Sequence, residues 1–186
     1  MTKFSVRLGI VPKIITVACF IIMSFALIKL TQVLLEGGFN IVYLSVIILL
    51  LISIVSPVFT MPVSIYALDD RLLLKKLLGS KTIFYSDIIV AERFSPKSDI
   101  RIFGSGGYWG FFGIFSNPRI GRYTAFVGDY KEAVLIQVAI AGGYKSYVVS
   151  CRNYDEFIML VNNNRDIRTI LSATTATANN YKNENK

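Results

Sequence analysis

The side chains able to do chemistry in this chain are cations and aromatic rings, gathered into two clusters. In the first, Arg71, Lys75, Lys76 and Lys81 crowd one short stretch, where guanidinium and ammonium groups suit phosphate or carboxylate. The second is a run in which Gly104, Gly106, Gly107, Gly110 and Gly113 alternate with Phe103, Tyr108, Trp109, Phe111, Phe112 and Phe115. Arg101, Arg119 and Arg122 flank it. Arg71, Lys75, Lys76, Lys81, Arg101, Tyr108, Trp109, Arg119 and Arg122 are therefore the candidate lipid- or partner-binding residues. Two readings of the glycine-aromatic run stay open. It is either a long loop whose rings dock on the domain's own core or on apolar helices, or an exposed wedge. In the wedge, Tyr108 and Trp109 would sit at headgroup level, where amphipathic rings partition well. Glycines would let the backbone bend so that bulky rings point one way. The first cluster also has two readings, a solvated strand face or a binding face. Near an anionic surface each such cation contributes about 1 kcal/mol.

Other chemistries are poorly served. The chain has no histidine, so Ser-His-Asp, Cys-His and His-Glu-x-x-His sites are excluded. Carboxylates adjoin only at Asp69-Asp70 and Asp155-Glu156, where a turn and a helix start account for them. Gly104-x-Gly106 is followed by Trp109 where a dinucleotide fingerprint needs glycine, and no Gly-Lys-Ser/Thr phosphate loop occurs. Cys19 and Cys151 are too few and too far apart for a metal site or a disulfide framework. The chain is expected not to be an enzyme, and to need no cofactor or metal. Net charge is +8; the first sixty residues carry four cations and one acid, leaving 16 against 11 in the rest. That balance favours an anionic lipid leaflet, and with no basic run or stacking motif nucleic acid is not expected as a partner.

Two apolar stretches must position these clusters. Ile14–Leu35 and Ile41–Phe59 are separated by Glu36-Gly37-Gly38-Phe39-Asn40, and the second carries no charge. Each is long enough for a hydrocarbon core of roughly 30 Å at about 1.5 Å per residue. Lys29, toward the far end of the first, reads as a snorkelling cation. A signal peptide fits the basic start, but Ile28-Lys29-Leu30-Thr31 offers no small-residue cleavage site. Lys3, Arg7 and Lys13 precede the first stretch, and Arg71, Lys75 and Lys76 follow the second, so both termini are expected in the cytoplasm.

Behind the helices, seven strands are expected, over 63–68, 71–78, 81–85, 88–94, 122–127, 133–139 and 144–150, with short turns implying antiparallel pairing. Tyr154, Phe157, Ile158 and Val161 make one apolar stripe of a closing helix. Asn153 and Glu156 stand at capping-box spacing before it. From Ser172 the composition turns to Ala, Thr, Asn and Lys, a disordered tail.

Seven strands and one capping helix is the order of a pleckstrin-homology (PH) domain. Tyr66-Ala67-Leu68-Asp69-Asp70-Arg71-Leu72, then Gly79, then Ser86-Asp87-Ile88 resembles the opening of bacterial PH-like domains, which often follow one or two membrane helices. The run from Arg101 to Gly110, continuing to Gly121-Arg122-Tyr123, is similar to a subgroup with a glycine-aromatic insertion. Arg152-Asn153-Tyr154-Asp155-Glu156-Phe157 resembles the start of the family's closing helix. The resemblance implies a membrane-anchored all-β or α+β fold, a seven-stranded antiparallel barrel or sandwich capped by a helix, and a non-catalytic binding role. The expected division is a cytoplasmic N-tail (1–13), a transmembrane hairpin (14–60), a cytoplasmic PH-like domain (62–171) with the insertion at 101–121, and the tail (172–186). The expected place is the bacterial inner membrane, multi-pass. The expected partners are the bilayer, anionic headgroups and a protein. The alternative is an accessory subunit of a transport or envelope-remodelling complex.

Overall fold

The structure, a computed structural model, describes residues 1–37, 40–76 and 78–167. The expected tail lies outside the described residues.

The chain opens with a short strand, β1 (Thr2–Ser5), and then enters two apolar helices, α1 (Ile10–Glu36) and α2 (Ile41–Thr60). Asn40 starts α2 by accepting the Val42 N–H on its side-chain oxygen at 2.9 Å. By length and composition α1 can cross a membrane, with mean hydropathy 2.3 and none of that stretch buried. The shorter apolar stretch Ile41–Ser56 forms the body of α2. Several hydroxyls in these helices are satisfied internally. Thr31, Ser45 and Ser53 each donate to the carbonyl four residues back, at 2.7–2.8 Å. Such back-bonding is how hydroxyls are accommodated where no water is available.

Nine further strands follow: β2 (Pro62–Ala67), β3 (Arg71–Lys76), β4 (Ser80–Phe84), β5 (Ile88–Arg93), β6 (Ile100–Gly107), β7 (Gly110–Asn117), β8 (Gly121–Val127), β9 (Ala133–Ile140) and β10 (Gly143–Ser150). A helix, α3, covers 154–167. One sheet runs β1-β2-β3-β4 and the other β5-β9-β10-β8-β7-β6. The main core lies between the sheets and α3. Ile65, Leu72, Leu74, Ile83, Ile136 and Val149 meet Phe157 and Val161 there. A second cluster inside the larger sheet joins Phe94, Phe115, Tyr123, Val127 and Leu135.

Three expectations need correction. Residues 1–13 are not a free tail. Thr2 to Ser5 pair antiparallel with Ala67 to Ser64, Phe4 meets Phe157 edge-on at 5.1 Å, and the Arg152 N–H donates to Ser5 O at 3.0 Å. Buried apolar contact on α3, not local propensity, makes this segment a strand. The glycine-aromatic run is not a loop but the hairpin β6–β7, so the described residues hold ten strands. Pairing is not wholly antiparallel either. Tyr123 to Phe126 of β8 run parallel to Ser146 to Val149 of β10, because β10 lies between β8 and β9.

The closing helix departs in detail from a capping box. Asn153 has φ +61°, and its amide donates to the Glu156 carboxylate at 3.4 Å. Its carbonyl accepts the Phe157 N–H at 3.0 Å, so the first helical turn closes on the Asn153 backbone.

Candidate functional site

The hairpin β6–β7 ends in Gly107-Tyr108-Trp109-Gly110 and lies against the two apolar helices. A Cβ on Gly107 would sit 2.6 Å from Ile15 Cδ1, and the backbone there has φ +134°, a conformation that favours glycine. The Thr16 hydroxyl joins the two parts: it donates to Pro12 O at 2.6 Å and accepts the Trp109 N–H at 2.8 Å. The Tyr108 hydroxyl donates to Ile54 O on α2 at 3.3 Å. Both rings are half-buried and meet edge-on, with centroids 6.5 Å apart. The indole N–H of Trp109 is buried with no partner among the described residues.

Bending makes this contact available. Gly104 and Gly113 face each other across the hairpin, at φ +109° and +117°. A Cβ on Gly104 would lie 2.1 Å from Phe112 O, and one on Gly113 2.2 Å from Phe103 O. Side chains at this crossing would force the strands apart. The bend folds the tip back, so that the Arg101 guanidinium lies over Gly106, where a Cβ would be only 2.8 Å from it. Arg101 makes no hydrogen bond or ion pair among the described residues. Phe103 beside it is 75% exposed.

The structure spreads the expected cations over four places. Lys75, Lys76 and Lys81 lie at the end of the first sheet that adjoins α2: Pro62 faces Lys76, Leu74 faces Lys81, and the Leu78 N–H donates to Phe59 O at 3.4 Å. Each lies over a ring, Lys75 over Tyr66 (5.9 Å), Lys76 over Phe126 (4.7 Å) and Lys81 over Tyr147 (5.8 Å). Lys3 of β1 shares the Tyr66 ring at 5.8 Å, a neighbour the sequence did not suggest. Tyr66 titrates below the usual tyrosine value, first through its hydrogen bond with Ser64 and then through these two cations.

Arg71 lies at the other end of the same strands, about 17 Å away at ~3.4 Å per residue. It is held by Asp70 at 2.7 Å and stacked on Phe84. Arg119 follows β7 at the end opposite the Trp109 tip, about 25 Å along the strand, and pairs with Glu92. Arg122 faces Ser116 at that same far end. Arg119 and Arg122 therefore do not join Tyr108 and Trp109 in one cluster, as the sequence suggested. Arg101 does.

A cavity of about 520 Å³ opens between the bent hairpin and the helices. Ile15, Cys19 and Ser56 line it from α1 and α2, and Arg101, Phe103, Ser105, Tyr108 and Phe112 from the hairpin. Asp99 lines an adjoining cavity with Arg101, but its carboxylate is occupied by the Asn117 amide and the Tyr123 hydroxyl. Burial, and after it that contact, hold Tyr123 protonated well above the ordinary range, and burial pushes Tyr130 up to about 12. Burial likewise raises the Cys151 thiol to about 12, so it is no nucleophile at neutral pH.

Comparison with known families gives a match between residues 64–164, more than half of the chain, and the model of the bacterial PH domain. No curated protein and no solved structure matches.

Proposed function

The chain belongs to the bacterial PH domain family, and from that premise we propose that it is a membrane-tethered, non-catalytic binding module. In this reading α1 and α2 form a transmembrane hairpin, and the domain is held against the inner leaflet to bind lipid headgroups or a protein partner. Domains of this family are generally binding modules without catalysis.

One observation carries the reading. Thr2–Ser5 and Pro62–Ala67 are neighbouring strands of one sheet, yet α1 and α2 lie between them in the chain. If α1 crosses the bilayer, the chain must return to reach its own sheet, and α2 is the segment that returns. This closure is independent of the basic flanks: it requires β1 and the domain to share one side, and the flanks are what make that side the cytoplasm. The exposed rings and aliphatic side chains of both helices support it. Ile22 is 68% exposed, Phe25 63%, Leu49 65% and Ile52 61%. Leaving such side chains in water forgoes roughly 1.5–3 kcal/mol each. At about 40 Å, α1 also exceeds the hydrocarbon thickness, which leaves its first turns, and the Tyr108–Trp109 tip on them, at headgroup level.

Expression of the full chain in a bacterial cell tests this. The chain should stay with membranes through alkaline carbonate and high salt. A cysteine placed at Ser98 should react with an impermeant maleimide only after the cells are opened. One placed at Glu36 should react from outside. Release by carbonate, or labelling of both positions from the same side, would overturn the proposal.

A further inference from the structure

The crevice between the β6–β7 hairpin and the helix pair combines features that no protein group accounts for. Its floor and walls are apolar, from Ile15 and Cys19 on α1 and Phe103 and Phe112 on the hairpin. At its rim stands the Arg101 guanidinium, without a carboxylate or any other hydrogen-bonding partner among the described residues. Nearby Asp99 is occupied by Asn117 and Tyr123. Two of its walls are helix faces that the membrane reading places at the bilayer, so a lipid can enter it from the side. A cation at the rim of an apolar slot of about 520 Å³ complements a molecule with an anionic head and an apolar tail.

We propose that this crevice seats one anionic phospholipid, its phosphate on Arg101 and its first acyl methylenes against Ile15, Cys19, Phe103 and Phe112. The site differs from the cations of the first sheet, which lie over rings beside the end of α2. Ile15 is five residues into α1, about 8 Å along its axis, a depth at which phosphate and acyl chain join. The planar fork of Arg101 matches two phosphate oxygens, which a lysine cannot do. The exposed Phe103 ring lies beside the guanidinium, where it would be covered by the tail rather than by water. The bend at Gly104 and Gly113 brings Arg101 over Gly106 at the rim and so builds the site.

This proposal rests on the membrane reading above, and one probe separates the two. Trp109 is the sole tryptophan of the chain and adjoins Tyr108 of the crevice wall. The full chain is reconstituted in phosphatidylcholine nanodiscs containing a small, equal fraction of acyl-brominated phosphatidylglycerol or acyl-brominated phosphatidylcholine, and quenching of Trp109 is measured. The anionic lipid should be enriched at the site about fivefold, the factor expected for one cation at an anionic headgroup. It should therefore quench more strongly at low fraction. R101Q should abolish the difference, while R101K retains part of it. Equal quenching by both lipids in the native chain overturns the site but leaves the membrane reading. No quenching by either lipid at high fraction overturns both. Persistence of the difference in R101Q shows general surface charge and overturns the site. Abolition of the difference by soluble glycerol 3-phosphate assigns the crevice to a soluble phosphate and overturns the lipid.

Discussion

Phe4→Ala should release the first strand from the domain without unfolding the rest. Phe4 is 4% exposed and packs edge-on against Phe157, itself fully buried, in the core shared by the first sheet and α3. Truncating a buried phenylalanine costs about 3–5 kcal/mol through lost transfer energy and the cavity left behind. At the edge of a sheet the surroundings can relax, so the lower figure applies. A loss of about 3 kcal/mol is smaller than the 5–15 kcal/mol typical of whole-domain stability. It is large for four residues held by one neighbouring strand, one hydrogen bond from Arg152 and a single ring. Local opening of β1 should therefore rise about 100-fold. Hydrogen–deuterium exchange of the full chain in detergent reads this directly. The peptide carrying residues 2–7 should exchange about 100-fold faster, while the peptide over β9 keeps its native rate. Phe103→Ala serves as the control, since its ring is 75% exposed and truncation there should move neither peptide beyond about 0.5 kcal/mol. Equal exchange of residues 2–7 in the native chain and in F4A would refute the reasoning, and with it the claim that a buried anchor closes the chain upon itself.

Gly104→Ala should part the hairpin from the helices, because a methyl group would sit 2.1 Å from Phe112 O at a φ of +109°; Trp109 emission should shift to the red, and an unchanged spectrum would count against the bend. Thr16→Val should remove the acceptor of the Trp109 N–H and cost about 1–3 kcal/mol, seen as faster exchange at the hairpin tip. Thermal stability should be level up to about pH 9 and fall between about pH 9 and 12. Tyr85, Tyr130 and Cys151 are all pushed up to about 12, chiefly by burial, so each favours folding while protonated and opposes it once ionised. A melting temperature unchanged up to pH 12 would contradict this. Cys151 should also resist alkylation at pH 8 until the domain is unfolded.

Much of the fold is legible because its signals are local. Asp69-Asp70, Gly79-Ser80 and Gly142-Gly143 mark turns, and β2, β3, β4, β9 and β10 end within two residues of the expected limits. The stripe Tyr154, Phe157, Ile158 and Val161 places α3, with Phe157 and Val161 in the core. What stays hidden depends on distant partners. Four residues, Thr2–Ser5, carry too little alternation to announce a strand, and their neighbour lies beyond both helices. Five glycines from Gly104 to Gly113 read as a loop because glycine is poor in strands. At Gly104 and Gly113 they are instead what lets two strands cross closely. Turn lengths say which strands follow one another, not which strand lies between, so the parallel pairing of β8 with β10 has no local signature. The same division holds for the cations. The place of Lys75, Lys76 and Lys81 beside α2 follows from Pro62 coming directly after that helix. The pairing of Arg119 with Glu92 crosses from a turn to β5 and could not be foreseen.

The pairing of Thr2–Ser5 with Ser64–Ala67 also sets an order of assembly. The ribosome makes β1 first and the strand it needs some sixty residues later, with both apolar helices in between. Phe4 must then wait longer still, for Phe157 of α3. Nascent chains therefore leave the exit tunnel with an unsatisfied strand, and on the proposed membrane reading α1 and α2 are inserted before any sheet exists to close. The first strand can zip into place only once both helices have been made and β2 has followed them, so on that reading completion of the domain reports that the membrane step has succeeded.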